Sequence, residues 1–519
     1  MQLTQMIKRN AQVQGEKIAT ICGDRQQSWN QLRSRIAKIA GLLQANGVKK
    51  GDRVAVLSLN SDRYYEYFFA VPWAGAVMVP LNIRWSVKEN LYSLEDSGAT
   101  TLVVDDTFAQ AAAAIMQQSE VVKNVIYVGD KATPPGMICS ERGLAQAEGI
   151  DDLCNGGSEL AGIYYTGGTT GFPKGVMLSH SNLWTSSISA ALGLEYEGEH
   201  TRYLHAAPMF HAADIAASYS STIIGATQVF IPSFACQSLV EVIAEHQVTH
   251  TLLVPTMINM LLGSGVLTDA DISSLQRIIY GASPMPEGTL RQAMEQMSHV
   301  KFIQAYGQTE LAPIATILPS EFHQLSGPKS KIRSAGRAGY CVEVEVMDPV
   351  GNACPVGQVG EVRVRGGNAM MGYWNKPEES ASVMVNGWIH TGDAGYLDED
   401  GFLFLVDRVK DMIVSGGENV YSAEVESAVS QHEAVSEVVV IGIPSDTWGE
   451  QVHAIVRLQE GKSLTQEQLI AHCHELIAGY KCPRSVEVRH EPFPITGAGK
   501  LRKADLRAPY WEGHSRRVN

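Results

Sequence analysis

One stretch of this chain has the residue types of an anion cradle. Tyr164-Tyr165-Thr166-Gly167-Gly168-Thr169-Thr170-Gly171-Phe172-Pro173-Lys174-Gly175 follows a predicted strand over 162–165. Glycines let backbone N–H groups approach an anion closely, and threonine hydroxyls and a lysine add donors and charge. That chemistry suits a polyphosphate. The stretch is not a Walker loop, because Pro173 precedes Lys174 and Gly175 follows it, and no GxGxxG opens the first helix. Two other groupings carry less. His472-Cys473-His474 falls on a predicted helix, where alternate positions diverge and a metal is not gathered. Ser179-His180 are adjacent, and neighbours in sequence rarely act on each other as nucleophile and base.

The elements that must position such a loop read as α/β. Strand-like runs at Arg53–Leu57, Thr101–Val104, 125–128, 162–165, 226–231, 251–254, 276–280 and 301–305 alternate with helical stretches at 63–74, 239–246 and 287–297. This rhythm predicts largely parallel sheets. From about residue 342 the texture turns to short β runs (343–347, 360–365) punctuated by Gly and Pro, as in a twisted β subdomain. A compact α+β segment follows Asp407, with helices predicted over 423–429 and Gln466–Leu476 and a strand over 438–441. The predicted organisation is a large domain 1–407, a hinge 408–411 and a small mobile domain 412–519. No internal repeat or low-complexity segment is present.

At 519 residues the chain exceeds one ordinary core. Its 45% hydrophobic and 18% charged content excludes extended disorder, and a net charge of −14 argues against nucleic acid or an anionic membrane as a general partner. Cations that bind an anion must then be concentrated locally. The apolar run 68–81 is shorter than the roughly 20 residues of a spanning helix, and Pro72 interrupts it. Residues 1–17 lack a secretory apolar core, the tail Arg517-Val518-Asn519 is no peroxisomal address, and eight scattered cysteines read as reduced thiols. A cytoplasmic location is expected.

The glycine-threonine loop resembles that of the adenylate-forming superfamily, which includes acyl-CoA synthetases, firefly luciferase and the adenylation domains of peptide synthetases. The family loop usually reads Thr-Ser-Gly-Thr-Thr-Gly-x-Pro-Lys-Gly. Here Gly167 replaces the serine, which removes one hydroxyl but leaves the amides, Thr166, Thr169 and Thr170; altered nucleotide affinity is expected, not lost activity. The resemblance continues along nearly the whole chain. Gly281-Ala282-Ser283-Pro284 looks like the adenine-site turn. Ala305-Tyr306-Gly307-Gln308-Thr309-Glu310 looks like the segment whose tyrosine lies against adenine, whose threonine meets the α-phosphate and whose glutamate holds Mg²⁺. An aromatic face, a hydroxyl and a hard oxygen ligand fit those roles.

Further resemblances complete the expected machinery. Asp393 of Thr391-Gly392-Asp393 would accept hydrogen bonds from the ribose hydroxyls. Arg408 of Asp407-Arg408-Val409-Lys410-Asp411 would also reach the ribose, and Lys410 would be the hinge. Lys500, closing Pro494-Ile495-Thr496-Gly497-Ala498-Gly499-Lys500, matches the catalytic lysine. It can orient the attacking carboxylate and neutralise charge building on the α-phosphate. Gly416, Gly417 and Glu418, in Ser415-Gly416-Gly417-Glu418-Asn419-Val420-Tyr421, match the loop that lines the pantetheine tunnel, although Ser422 stands where proline is common. Trp448-Gly449-Glu450 fits the same C-terminal pattern. Pro208-Met209-Phe210-His211 resembles the segment bordering the acyl pocket, with Gly281, Gln304, Leu311, Ala312 and Pro313 near its walls.

The resemblance, strongest to fatty-acyl-CoA synthetases, implies an enzyme with ATP, Mg²⁺ and coenzyme A as cofactor and co-substrates. A carboxylate displaces pyrophosphate from ATP; the C-terminal domain then turns on Lys410, withdraws Lys500 and presents the loop around Gly417, and coenzyme A thiol releases AMP. The neutral pocket residues point to a hydrophobic monocarboxylate, most simply a medium- or long-chain fatty acid, with an aryl acid of the coumarate kind as rival. Loading of a carrier protein, luciferase-type oxygenation and non-catalytic nucleotide binding are the other functions weighed. The last would require decay of Lys500 or Glu310, and both are present. Oligomeric state stays open, a homodimer being one option.

Overall fold

Strand Arg53–Leu57 is apolar and buried at its four positions after Arg53 because it is covered on both faces, the mark of a strand inside a parallel sheet. The computed structural model describes residues 1–166, 173–408, 411–416, 418–445, 447–494 and 501–512, the side chains of Arg408 and Asn419 excepted. Among them the strands form four sheets.

The first sheet has eight strands. Val77–Pro80, Arg53–Leu57, Thr101–Val104, Asn124–Tyr127 and Ile138–Cys139 run parallel, and Leu160–Thr166 joins them parallel to Val77–Pro80. Lys174–Ser179 then returns antiparallel against Leu160–Thr166. In the nine-stranded second sheet, Lys301–Gly307, Arg277–Gly281, His250–Leu252, Arg202–His205, Thr227–Phe230 and Ile18–Cys22 are parallel in that spatial order. Antiparallel strands flank them, Ile314–Leu318 with Arg337–Ala338 beyond it on one side and Arg25–Ser28 on the other.

Helix Asp62–Trp73 packs against strands of both sheets, so it is buried all round and not along one stripe. Tyr64, Tyr65, Phe68 and Phe69 fill that space together with Tyr219 of helix Ala212–Ile223. Truncating Phe68 or Phe69 to alanine would cost about 3–5 kcal/mol. Helix starts are set locally: Ser28 with Gln31, Ser86 with Glu89, Ser179 with Asn182 and Thr465 with Gln468 each form a reciprocal capping box.

The third sheet is antiparallel, built from Val342–Met347, Gly360–Gly366, Trp388–Leu397, Met384–Val385 and Leu403–Arg408. The fourth contains Ile413–Ser415, Glu418–Val420, the long hairpin Val435–Ser445/Gly449–Leu458 and Ser485–Val488. Helices Ser422–Val429, Gln466–Leu476 and Lys503–Trp511 belong with it. The expected mixed α/β fold is thus what forms, with a smaller C-terminal α+β unit. The strand expected over 438–441 is only the middle of Val435–Ser445, whose Gly442 and Pro444 read as breakers. Val435–Ser445 lies at the edge of its sheet, where proline is tolerated.

Candidate active site

Arg277–Gly281 and Lys301–Gly307 are parallel neighbours, with Gly281 opposite Ala305 and the second strand running on to Gly307. Ligands of open α/β sheets bind beyond such carboxyl ends. Backbone crowding dictates the residue types. A Cβ on Gly281 would collide with the Ala305 carbonyl oxygen, and one on Gly307 with that of Pro313. Past the first strand Ala282 takes a left-handed φ of 65°, leading to Ser283; past the second, a short 3₁₀ turn spans Thr309–Leu311.

A cavity of about 760 Å³, counted with its open mouth, lies at these strand ends. Gly281, Ala282, Ala305, Tyr306, Gly307, Gln308 and Thr309 line one part. The other part is walled by Leu194, Leu252, Ile279 and Ile314, by the small face Ala212, Ala213, Ala216 and Ala217 of helix Ala212–Ile223, and by the rings of Tyr196, Tyr203 and His211. Among the described residues, no Lys, Arg, Asp or Glu lines it. His211 sits at the N-cap of that helix, its ring tilted against Phe210 at 4.6 Å. Gln304, expected on the acyl wall, does not line the cavity; its Oε1 lies 3.2 Å from the Tyr280 hydroxyl, which also lies 2.9 Å from His323 Nε2.

Two carboxylates flank the strand ends. The Tyr306 hydroxyl donates to Asp393 Oδ2 at 2.7 Å, and Asp393 stands opposite Arg408 in the third sheet. The Asp393 amide is held by Thr391 Oγ1 at 3.1 Å, and the Thr391 hydroxyl donates to the Val362 carbonyl. Glu310 Oε1 accepts from the Tyr373 hydroxyl at 2.8 Å; burial, reinforced by the Glu310 charge, pushes the Tyr373 phenol pKa up, so it stays a donor. Among the described residues no cluster of three or more His, Cys, Asp or Glu could cage a metal. Glu310 offers a hard carboxylate oxygen of the kind that could hold Mg²⁺ together with phosphate oxygens.

Thr166 and Lys174 face each other at the mouth of the hairpin, while Gly167, Gly168, Thr169, Thr170 and Gly171 between them lie outside the described residues. The Lys174 ammonium is 5.2 Å from the Tyr373 ring centre and 2.5 Å from Glu379, which also pairs with Lys376 at 3.3 Å. Lys410, Gly417 and Lys500 also lie outside the described residues. Gly416, at φ 63°, is pressed against Trp448: a Cβ there would sit 2.7 Å from the indole. Glu418 opens the strand Glu418–Val420, and Arg484 stacks on Trp448 at 4.2 Å.

The decoys resolve structurally. Ser179 Oγ caps a helix by accepting from the Asn182 amide, and His180 is fully buried. His472 Nε2 lies 3.1 Å from the Ala428 carbonyl oxygen, and Cys473 packs in the C-terminal core.

Residues 7–374 match the AMP-binding enzyme family, and residues 424–500 match the AMP-binding enzyme C-terminal domain. The chain belongs to the AMP-binding enzyme family. It is an enzyme of the AMP-forming acyl-CoA synthetase type. A feruloyl-CoA synthase of Amycolatopsis sp is 35% identical over 502 residues, 96% of this chain and 97% of that protein. A medium/long-chain-fatty-acid–CoA ligase of Mycobacterium tuberculosis is 32% identical over 512 residues, 96% of this chain and 88% of that protein. The o-succinylbenzoate CoA synthetase of Bacillus subtilis, solved with its acyl-adenylate intermediate, superimposes with a TM-score of 0.84 at 32% identity, covering 96% and 97% of the two chains.

Several residues that shape the synthetase's site escaped sequence reasoning. Tyr373 and Glu379 come from a segment 63 or more residues beyond Glu310. Only the glycine before Tyr373 hinted at a tight approach. Tyr196, Tyr203 and the alanine face of helix Ala212–Ile223 carried no signal, because aromatic and small residues are ordinary core.

Proposed function

We propose that the protein joins a hydrophobic monocarboxylic acid to coenzyme A through an acyl-adenylate, releasing AMP and pyrophosphate. The observation that carries this is one continuous, uncharged cavity, running from Gly281, Ala305, Tyr306 and Thr309 into an apolar end. The first part suits a nucleotide and the second an acyl group with no second anionic end.

On this reading Tyr306 faces the adenine, Asp393 and Arg408 hold the ribose, and Thr309 bonds the α-phosphate. The loop from Thr166 to Lys174 cradles the phosphates, and Glu310 binds Mg²⁺, which offsets their charge. Lys500 orients the carboxylate for attack. Residues 408–411 form the hinge between domains 1–407 and 412–519, turning on Lys410. Gly416, Gly417 and Glu418 then line the path of the pantetheine thiol. An enzyme with eight cysteines and no disulfide, and with no described helix long and apolar enough to cross a membrane, suits a cytoplasmic setting.

Two acid classes meet these walls. A medium- or long-chain fatty acid is the simplest apolar body. The rings of Tyr196, Tyr203 and His211 around the apolar end favour an aryl acid. The test is carboxylate-dependent exchange of labelled pyrophosphate into ATP across a panel of fatty and aryl acids, followed by thioester formation with coenzyme A. Absence of exchange with every acid would remove the adenylation reading; exchange without a thioester would remove coenzyme A as acceptor.

A further inference from the structure

We infer that Glu195, which does not itself line the cavity, is a positioning residue that fixes the size of its apolar end and so which acids are admitted. This rests on the cavity being the acid site.

Glu195 has a φ of 55°, in the left-handed region that favours glycine or asparagine. It separates Leu194, the C-cap of helix His180–Gly193, from Tyr196, and both neighbours line the apolar end of the cavity. A turn that merely passed the chain from helix to strand would take glycine here at no steric cost. A long side chain persists in such a backbone state only where its surroundings hold it. What holds this one is its carboxylate.

Glu195 Oε1 accepts from the Ser320 amide at 2.8 Å, and Oε2 accepts from the Ser320 hydroxyl at 2.8 Å and from Arg277 Nε at 3.0 Å. Burial alone would raise the carboxyl pKa, yet the Ser320 and Arg277 contacts hold it below the usual value, so the group stays ionised. The Glu195 carbonyl oxygen lies 3.3 Å from His250 Nε2, and His250 stands opposite Arg277 on the neighbouring strand. Each partner belongs with an element that supplies a wall residue. Arg277 opens Arg277–Gly281, which supplies Ile279; Ser320 lies just past Ile314–Leu318, which supplies Ile314. His250 opens His250–Leu252, which supplies Leu252, and its ring lies 5.4 Å from that of Tyr196. One residue thus ties the Leu194–Tyr196 turn to three strands from outside the cavity. Charge-assisted hydrogen bonds are directional, so this set fixes how far apart those walls stand. Without the carboxylate, Leu194 and Tyr196 are free to move outward and the apolar end enlarges.

The experiment uses the full chain as wild type, Glu195→Gly, Glu195→Gln, Arg277→Met and the double variant Glu195→Gly/Arg277→Met. Glycine is at home at this φ, so Glu195→Gly removes the contacts without straining the turn, and glutamine keeps the side chain's size while removing its charge. Two series graded by size serve as probes: even-numbered straight-chain acids from hexanoic to hexadecanoic, and benzoic, cinnamic and para-butylcinnamic acids. Calorimetric Kd, kcat and KM for acid-dependent pyrophosphate release, and KM for ATP are measured for each protein. In Glu195→Gly the preference for the best-fitting acid over the next larger one should fall by roughly tenfold, the worth of one methylene in an apolar pocket. KM for ATP should stay as in wild type. Glu195→Gln and Arg277→Met should shift the ranking in the same direction, and the double variant no further than Glu195→Gly, because both changes break one contact. A uniform loss that keeps the ranking of acids, a matching rise in KM for ATP, or additive effects in the double variant would each overturn the inference. A ranking that shifts in binding with no pyrophosphate release from any protein would sink adenylation and leave Glu195 standing; release with an unshifted ranking would do the reverse. Binding of no acid by the wild type would remove the cavity as the acid site, and the inference with it.

Discussion

The Tyr306 hydroxyl donates to Asp393 Oδ2 at 2.7 Å across 87 residues of sequence, tying the end of Lys301–Gly307 to the antiparallel strand Trp388–Leu397. One bond thereby joins the second sheet to the third and fixes the spacing between an aromatic face and a carboxylate. Tyr306→Phe should destabilise the protein by about 1.5–3 kcal/mol, as expected for a hydrogen bond to a carboxylate. It should also raise KM for ATP several-fold while sparing kcat, read from ATP-dependent pyrophosphate release alongside thermal melts.

Lys500→Ala should lower adenylate formation by about 10²–10³, the usual cost of removing one electrostatic stabiliser. Thioester formation from supplied acyl-adenylate should persist. Assaying the two half-reactions separately checks this, and equal loss of both would refute the division of labour.

Glu379 holds the Lys174 ammonium at 2.5 Å and so competes with any phosphate for it. Glu379→Gln should lower KM for ATP by roughly two- to fivefold, because a partly exposed pair is worth only about 0.2–1 kcal/mol. Stability should hardly change. An unchanged or higher KM would show that the carboxylate positions the lysine and does not restrain it.

Gly416→Val adds a Cβ that meets the Trp448 ring and forces a β-branched residue to φ 63°. Reaction with coenzyme A should fall by at least tenfold, and adenylate formation by much less, with about 1–2 kcal/mol lost from the C-terminal unit. Rapid-quench measurement of adenylate and thioester separates the two.

Burial pushes the imidazoles of His180, His250 and His323 down to about 4. The unfolded chain, with histidine near 6.5, binds more protons than the fold between those values, so stability rises with pH there. Each histidine's contribution is complete above pH 6.5 and is lost as pH falls towards 4, on the order of 3 kcal/mol per group. Melting temperature should therefore drop steadily from pH 6.5 to 4. His323→Gln should flatten that slope.

By itself the sequence determined the parts whose physics is local. Apolar periodicity located most strands and helices, since side-chain burial repeats along each element; Thr101–Val104 and Gln466–Leu476 were read to the residue. Glycines, hydroxyls and a lysine in one short run announced anion chemistry. Only the tertiary structure decided what those runs meet. Sheet register set Gly281 beside Ala305, packing of the third sheet brought Asp393 to Tyr306, and pairing of Gly372–Tyr373 with the first sheet brought Tyr373 to Glu310. Such contacts join residues tens to hundreds of positions apart, and a tyrosine's partner depends on which face of which sheet it enters, a property no local pattern encodes.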